Sequence, residues 1–401
     1  MGSVARDTFV VLLLLLATGS LASHFRFGII TWKPDTSVTN KVDFQFKLAW
    51  RRSAGSFYCD DSTISSNKLI GGGNWNCASG CSGTVSSASY YCTSYSVSED
   101  WSQGERTFSY TFSGSGPFTV RFSSCCWIRL LSGGSSWSVQ TEIDLRRRSD
   151  NGKINSSPIS ATSAIIRLQN GCSYNIPIHT DDPDGDTVKC RWASGSSECG
   201  GVCNAVSGAT LTSNPCTIHY TPNSNGWLAV ALTLEDFASS SSSTPLSKVP
   251  LQFLFNVASR GTSCGAGVKF ASSTLADNVC IPVAPGRTFT TRIYVTEQGS
   301  ARLNEVTIVA PQGMSKSSTR GTSPNKYVDI TWKPTTQQYG SHVFCFTAID
   351  NLGIATSQRC ITILAGSSIP TIVSSSLVPK NGAVISLVTR KFVVDFDQTV
   401  N

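Results

Sequence analysis

Alternating apolar and polar positions mark two matching segments in the second half of the chain. Residues 228–234 have an apolar side chain at every second position, and residues 343–349 repeat the pattern apart from Thr347. A period of two indicates a β-strand with one buried face. Each run follows a glycine, Gly226 or Gly340, and an aspartate lies ten residues after that glycine, Asp236 or Asp350. The sequence therefore predicts two equivalent strands.

The match extends upstream and predicts a repeated domain. Residues 218–222 align with 330–334, and the turn ending at Gly171 aligns with the turn ending at Gly286, about 110 residues apart. Two β-sandwich domains at 155–258 and 259–366 are the simplest explanation. A tryptophan- and cysteine-rich sandwich at 23–154 precedes them. The fold class predicted is all-β, with tandem sandwiches stapled by disulfides.

Short motifs in the repeated segments resemble known extracellular modules. Residues 340–353 together with Cys360 are similar to the closing hairpin of a hyalin-type repeat, and residues 180–187 resemble the acidic turn of cadherin-like repeats. The resemblance covers about residues 155–366 and implies tandem immunoglobulin-like sandwiches. The opening residues 24–28 and 30–34 resemble uncharacterised invertebrate extracellular proteins, from which no function follows.

Both ends of the chain carry information about its compartment and extent. Arg6, an apolar run at 9–17 and small residues before Ser23 predict a secretory signal peptide at 1–22. No later stretch approaches 18 apolar residues, so no membrane span is predicted in this segment. Residues 367–401 resemble the opening strands of a further immunoglobulin-like module, which predicts that the natural protein continues beyond Asn401. The signal peptide predicts a secreted protein. A cell-surface location would require a C-terminal anchor beyond the given sequence.

Fifteen cysteines fit an oxidising compartment, where they pair as disulfides. Cys345 and Cys360 are equidistant from a turn near residue 352, so they face each other across a predicted hairpin. Cys264 then pairs with Cys280, and Cys199 with Cys203 in a short glycine-rich loop. The adjacent Cys125 and Cys126 are predicted to point to opposite faces and to bond two different partners. One thiol is left over.

A turn rich in aspartate is the best candidate binding site. Its alternate carboxylates can supply oxygen ligands for Ca²⁺, the possible cofactor, and an aspartate from the following strands can join them. The spacing is not that of an EF-hand, and the alternative is a solvated turn. The candidate ligands are Asp182, Asp184, Asp186 and Asp236.

The first segment offers a candidate sugar-binding surface. The loop at 71–76 carries Trp75 between two asparagines, Asn74 and Asn76, and an aromatic ring on a loop can stack on a sugar. Burial in the sandwich core is the alternative, and it explains Trp32 and Trp50 better.

Charge and modification motifs add little. The net charge of +7 is spread along the chain, and the one basic run, 146–148, is interpreted as a solvated linker. A processing site or a glycosaminoglycan contact are its alternatives. Nucleic acid is not an expected partner of a secreted chain. Asn155 begins a glycosylation sequon in the predicted inter-domain stretch.

The sequence contains none of the familiar hydrolase, metalloprotease or phosphate-binding motifs, so no enzyme is predicted. The leading hypothesis is an extracellular adhesion or matrix protein that acts as a modular scaffold and binds extracellular proteins or glycans. The alternative is a lectin-like protein that binds carbohydrate through its N-terminal domain.

Overall fold

The computed structural model describes residues 24–260 and 263–367. Of the described residues, 50% form strands and 4% form helix, which confirms the all-β prediction. The predicted signal peptide and the predicted further module from residue 368 onward lie outside the described residues. Within the described ranges, no helix is both long and apolar enough to cross a membrane.

By the predicted boundaries, the described residues form a first segment at 24–154, a second at 155–258 and a third from 259 onward. The first segment contains nine strands and two short helical turns. The helical turns are a 3₁₀ turn at Gly55–Phe57 and helix α1 at Asp61–Ser65, where the Asp60 side chain accepts a hydrogen bond from the Thr63 N–H. The strands are β1 (Phe25–Pro34), β2 (Lys41–Arg51), β3 (Leu69–Ile70), β4 (Asn74–Ser79), β5 (Thr84–Ser87), β6 (Tyr90–Ser96), β7 (Trp101–Thr111), β8 (Phe118–Cys125) and β9 (Ser136–Ile143).

The second segment holds helix α2 (Ser196–Cys199), and a 3₁₀ turn at Thr336–Gln338 lies in the third. The second segment has strands β10 (Ile159–Ala161), β11 (Ile165–Gln169), β12 (Tyr174–Pro177), β13 (His179–Asp181), β14 (Thr187–Trp192), β15 (Thr210–Thr212), β16 (Thr217–Tyr220), β17 (Gly226–Phe237) and β18 (Ser247–Ala258). The third has β19 (Lys269–Phe270), β20 (Cys280–Val283), β21 (Phe289–Thr296), β22 (Leu303–Val309), β23 (Ser315–Lys316), β24 (Asn325–Trp332), β25 (Gly340–Asp350) and β26 (Arg359–Ala365).

The second and third segments share one strand-pairing scheme. In the second, β11 runs parallel to β18, and β17 and β14 follow by antiparallel pairing. In the third, β20 runs parallel to β26, followed by β25 and β22. The opposite sheets also correspond, with the orders β12-β16-β15 and β19-β21-β24-β23. Assignment of this scheme to the immunoglobulin-like fold stays a prediction.

Strand β18 connects the first two segments into one 13-stranded sheet. It pairs with β1 at Gly28 and Ile29 and with β9 through Lys248 and Glu142, besides its partners β11 and β17. The predicted boundaries at 154/155 and 258/259 stay predictions.

Strand β1 lies between two hydrophobic cores. Ile30 and Trp32 pack in the core of the first segment, whereas Phe27 and Ile29 pack in that of the second. Because side chains alternate along a strand, one buried strand can contribute to both. The third segment has its own core around Trp332 and Phe344.

Seven disulfides join fourteen of the cysteines, and Cys280 is left as an exposed free thiol. The bonded pairs are Cys59–Cys92, Cys77–Cys81, Cys125–Cys126, Cys172–Cys264, Cys190–Cys216, Cys199–Cys203 and Cys345–Cys360. In the last pair the two cysteines are direct partners in the register of β25 and β26.

Two disulfide predictions were wrong. Cys264 bonds Cys172 rather than Cys280, because β11 runs parallel to β18 and Gln169 is paired with Ala258. The residues that follow both strands therefore lie close together. Cys125 and Cys126 bond each other rather than two other partners. Strand β8 ends at Cys125, so strand alternation does not apply to the pair.

Candidate functional site

Three of the four predicted calcium ligands come together. One carboxylate oxygen from each of Asp182, Asp186 and Asp236 lies within 4.8 Å of the others. The register explains their meeting, since Val188 at the start of β14 pairs with Asp236 near the end of β17. The turn before β14 is thereby held against that end of β17.

Asp184 does not join this group, so the prediction was wrong for that residue. Its carboxylate accepts a hydrogen bond from the backbone N–H of Ser156, at 2.5 Å. Asp184 therefore fixes the start of the second segment, at Ser156, to the turn.

The Asp182 side chain organises the turn and leaves one atom without a partner. Its Oδ1 accepts the N–H groups of Asp184 and Asp186, at 2.9 and 3.1 Å, which is the geometry that shapes aspartate turns. Its Oδ2 is buried and has no hydrogen-bond partner in the described part of the chain. The residue is only 9% exposed, so this oxygen is also largely removed from bulk solvent.

An arginine and an asparagine complete the cluster. Arg148 forms an ion pair with Asp186, and its Nη1 donates to the Asn155 Oδ1 at 2.9 Å. Asn155 Nδ2 in turn donates to the Asp236 Oδ2 at 2.6 Å. The cluster thus links the segment that follows β9 to the turn before β14 and to β17.

These contacts correct two interpretations of the sequence. Arg148 is buried rather than part of a solvated linker. Asn155 is 2% exposed and its Nδ2, the atom that glycosylation modifies, is engaged with Asp236, which speaks against the predicted glycan there.

Burial changes the acidity of two members of the cluster. Burial raises the pKa of Asp182 to about 7, and the charge on Asp236 adds to the rise. The hydrogen bonds from the backbone of the turn lower this pKa, but by less than burial raises it. Burial raises the pKa of Asp236 to about 6, against hydrogen bonds from Ser247 and Asn155. Near neutral pH the pair therefore favours a neutralising proton or cation.

The donor set fits a hard cation in part. Carboxylate oxygens are the ligands that Ca²⁺ prefers, and the Asp182 Oδ2 is free to bind one. Arg148 competes for Asp186, and three carboxylates are fewer than the six to eight oxygens that Ca²⁺ takes. A cation here would need backbone or water oxygens as well, which corresponds to a weak site.

The predicted sugar-stacking residue is buried, so that prediction was wrong. Trp75 is 0% exposed and packs between Phe46 and Phe122, with ring centroids at 5.3 and 5.5 Å. Its neighbours Asn74 and Asn76 are exposed on the other face of β4. Neither face of the indole ring is open to a sugar.

Comparison with known proteins identifies relatives of the chain. Residues 26–146 match the family described as "Integrin beta-like protein A-E, N-terminal". Integrin beta-like protein C of Dictyostelium discoideum is 25% identical over 385 residues, which cover 86% of this chain and 19% of that protein. Integrin beta-like protein A of the same organism is 25% identical over 239 residues, covering 57% and 12%. The chain thus spans about a fifth of the length of the first relative and about an eighth of the second.

Among solved structures, the sialic acid binding region of a Streptococcus sanguinis adhesin shares 8% identity at a TM-score of 0.21. The alignment covers 54% of this chain and 80% of that one. A similarity this low carries no argument about fold or function. The predicted hyalin-like, cadherin-like and invertebrate resemblances stay predictions.

Proposed function

We propose that this chain is a non-enzymatic adhesive scaffold outside the cell. The observation that carries the proposal is the similarity to integrin beta-like proteins, which extends over 86% of the chain with one of them. The name of these relatives points to adhesion, and the paired cysteines fit an extracellular location.

Contacts between the segments support a scaffold of fixed geometry. The Gln312 N–H donates to the Glu105 carboxylate at 2.7 Å, which joins the first and third segments. Arg167 pairs with Glu99 at 2.7 Å, and both side chains are largely buried. Ion pairs removed from solvent are screened less by salt than exposed ones. A scaffold held in this way presents its binding surface in one orientation.

Bead attachment tests the adhesive function. Beads coated with the secreted chain should remain bound to cells of the source organism under flow, because the folded surface makes specific contacts. Beads coated with the same chain after reduction and alkylation are the matched control and should detach. Equal retention of both would contradict the proposal.

We further propose that Ca²⁺ binds Asp182 and Asp236 and stabilises the connection between the first and second segments. The free Asp182 Oδ2 and the raised pKa values of both carboxyls support this. A divalent cation bound there removes the repulsion that keeps these groups from ionising together.

The melting temperature at several pH values tests the calcium site. In chelator, stability from the protonated carboxyls is present at low pH and is lost as pH rises through about 6 and 7. About 10 mM Ca²⁺ should add about 1.4–2.7 kcal/mol at pH 8, given the affinity range of about 0.1–1 mM for extracellular sites, and less at pH 5.

Two matched variants complete this experiment. Asp182→Asn should abolish the calcium-dependent shift, whereas Asp184→Asn should retain it, because Asp184 lies outside the cluster. An unchanged melting temperature at pH 8 in Ca²⁺ would remove the site.

A further inference from the structure

A cleft of about 720 Å³ lies between the first and third segments. Its floor is the outer face of β1, β2 and β7. Across these strands Thr31, Gln45 and Thr107 form one row, and Lys33, Asp43 and Ser109 form the next. Residues 312–313 and 333–342 of the third segment form the opposite wall.

The same five-residue motif contributes to both walls of the cleft. Ile-Thr-Trp-Lys-Pro occurs at 30–34 and again at 330–334. In each copy the tryptophan is buried and its indole N–H donates to a backbone carbonyl, Trp32 to Glu142 at 2.9 Å and Trp332 to Gln312 at 3.0 Å. The lysine that follows is exposed and lines the cleft, as Lys33 or as Lys333.

The two lysines give the cleft a positive charge that its acids compensate only in part. Neither forms an ion pair within residues 24–260 and 263–367. Of the two acids that line the cleft, Glu105 is buried and engaged by Lys47 at 3.4 Å and by Gln45 at 3.1 Å. The other, Asp43, is the cross-strand neighbour of Lys33 and accepts a hydrogen bond from Ser109. It offsets Lys33 in part and leaves Lys333 unopposed.

The side chains of the cleft suit a sugar. Along the cleft β2 is paired on both sides, whereas β1 beyond Ile29 and β7 beyond Glu105 have a strand partner on one side only. Besides the Asp43 carboxylate, the cleft presents hydroxyls, an amide and ammonium groups. Hydroxyl and amide side chains suit the hydroxyls of a sugar, and ammonium groups suit its carboxylate or sulfate.

We propose that this cleft binds an acidic carbohydrate, with Lys33 and Lys333 contacting its anionic groups and Gln45 and Thr107 its hydroxyls. The inference rests on the proposed adhesive function and names the ligand class of that function. The binding surface differs from the one expected around Trp75 and requires both the first and third segments.

Binding of defined oligosaccharides to the secreted chain tests the proposal. Oligogalacturonate offers carboxylates, dextran sulfate offers sulfates, unmodified dextran is the neutral control, and oligoglutamate represents an acidic peptide. The chain should bind at least one of the two acidic sugars, with salt weakening the interaction, and should bind neither dextran nor oligoglutamate.

Charge variants locate the binding. Lys33→Gln with Lys333→Gln should raise the Kd at least about tenfold, because two charge-assisted hydrogen bonds are lost. Lys153→Gln with Lys269→Gln removes the same charge from exposed lysines outside the cleft and should leave the Kd unchanged. Asp43→Asn should lower the Kd, since it removes the acid beside Lys33.

The outcomes separate this inference from the function it rests on. Failure of both acidic sugars to bind, equal binding of oligoglutamate, or an unaltered Kd in the cleft double variant each overturns the inference. If beads coated with the wild-type chain still attach to cells in any of these cases, the proposed adhesive function is retained. Loss of bead attachment by the wild-type chain overturns the adhesive function instead.

Discussion

Replacing Cys172 and Cys264 together by serine is expected to lower the free energy of unfolding by about 4.6 kcal/mol. The disulfide closes a loop with a sequence separation of 92 residues, which includes most of the second segment. Without this crosslink the unfolded chain gains the conformational entropy of that open loop. Urea denaturation of the purified secreted chain, followed by tryptophan fluorescence, measures the change.

The short disulfide Cys77–Cys81 is the matched control, with a sequence separation of 4. Its removal by the same serine substitutions should cost about 2 kcal/mol, because a small loop loses less entropy on closure. Equal losses for the two double variants would show that loop entropy does not govern the stability of this chain.

Replacing Trp75 by alanine is expected to lower the free energy of unfolding by about 3–5 kcal/mol. The indole is fully buried between Phe46 and Phe122, and its removal leaves a cavity that the neighbouring rings fill only in part. Denaturation curves measure the loss, which should be smaller for Trp75→Phe because less volume is removed.

Asn74→Ala is the control, because Asn74 precedes Trp75 in β4 and is exposed. This substitution should change the free energy of unfolding by less than about 0.5 kcal/mol. Trp75→Phe should still bind acidic sugar, since its ring lies outside the cleft. A stable Trp75→Ala variant that had lost sugar binding would restore the original interpretation of this residue.

Period-two patterns and the internal repeat were sufficient to predict the all-β fold. The alternation after Gly226 and Gly340 corresponds to β17 and β25. The pairing of β1 with β18 was not predicted, because Gly28 and Gln252 are far apart in sequence and no local pattern records which strands become neighbours.

The acidic cluster was predicted in part for a similar reason. Asp182 and Asp186 share one turn, and the repeat alignment singled out Asp236. Arg148 belongs to a basic run, which by itself indicates a solvated stretch, and only the tertiary contact with Asp186 shows that it is buried. The polar–apolar–polar pattern of Asn74, Trp75 and Asn76 could have identified Trp75 as a core residue.

The shared strand β18 restricts how this architecture can change by recombination. Because β18 pairs with β1 and β9 as well as with β11 and β17, excising the second segment alone would leave an unpaired edge on the first, and a duplicated copy would lack these partners. The first two segments must therefore be inherited together. Among the described residues, the third is joined to them by side-chain contacts and one disulfide rather than by a shared sheet, so it is the unit that evolution can exchange.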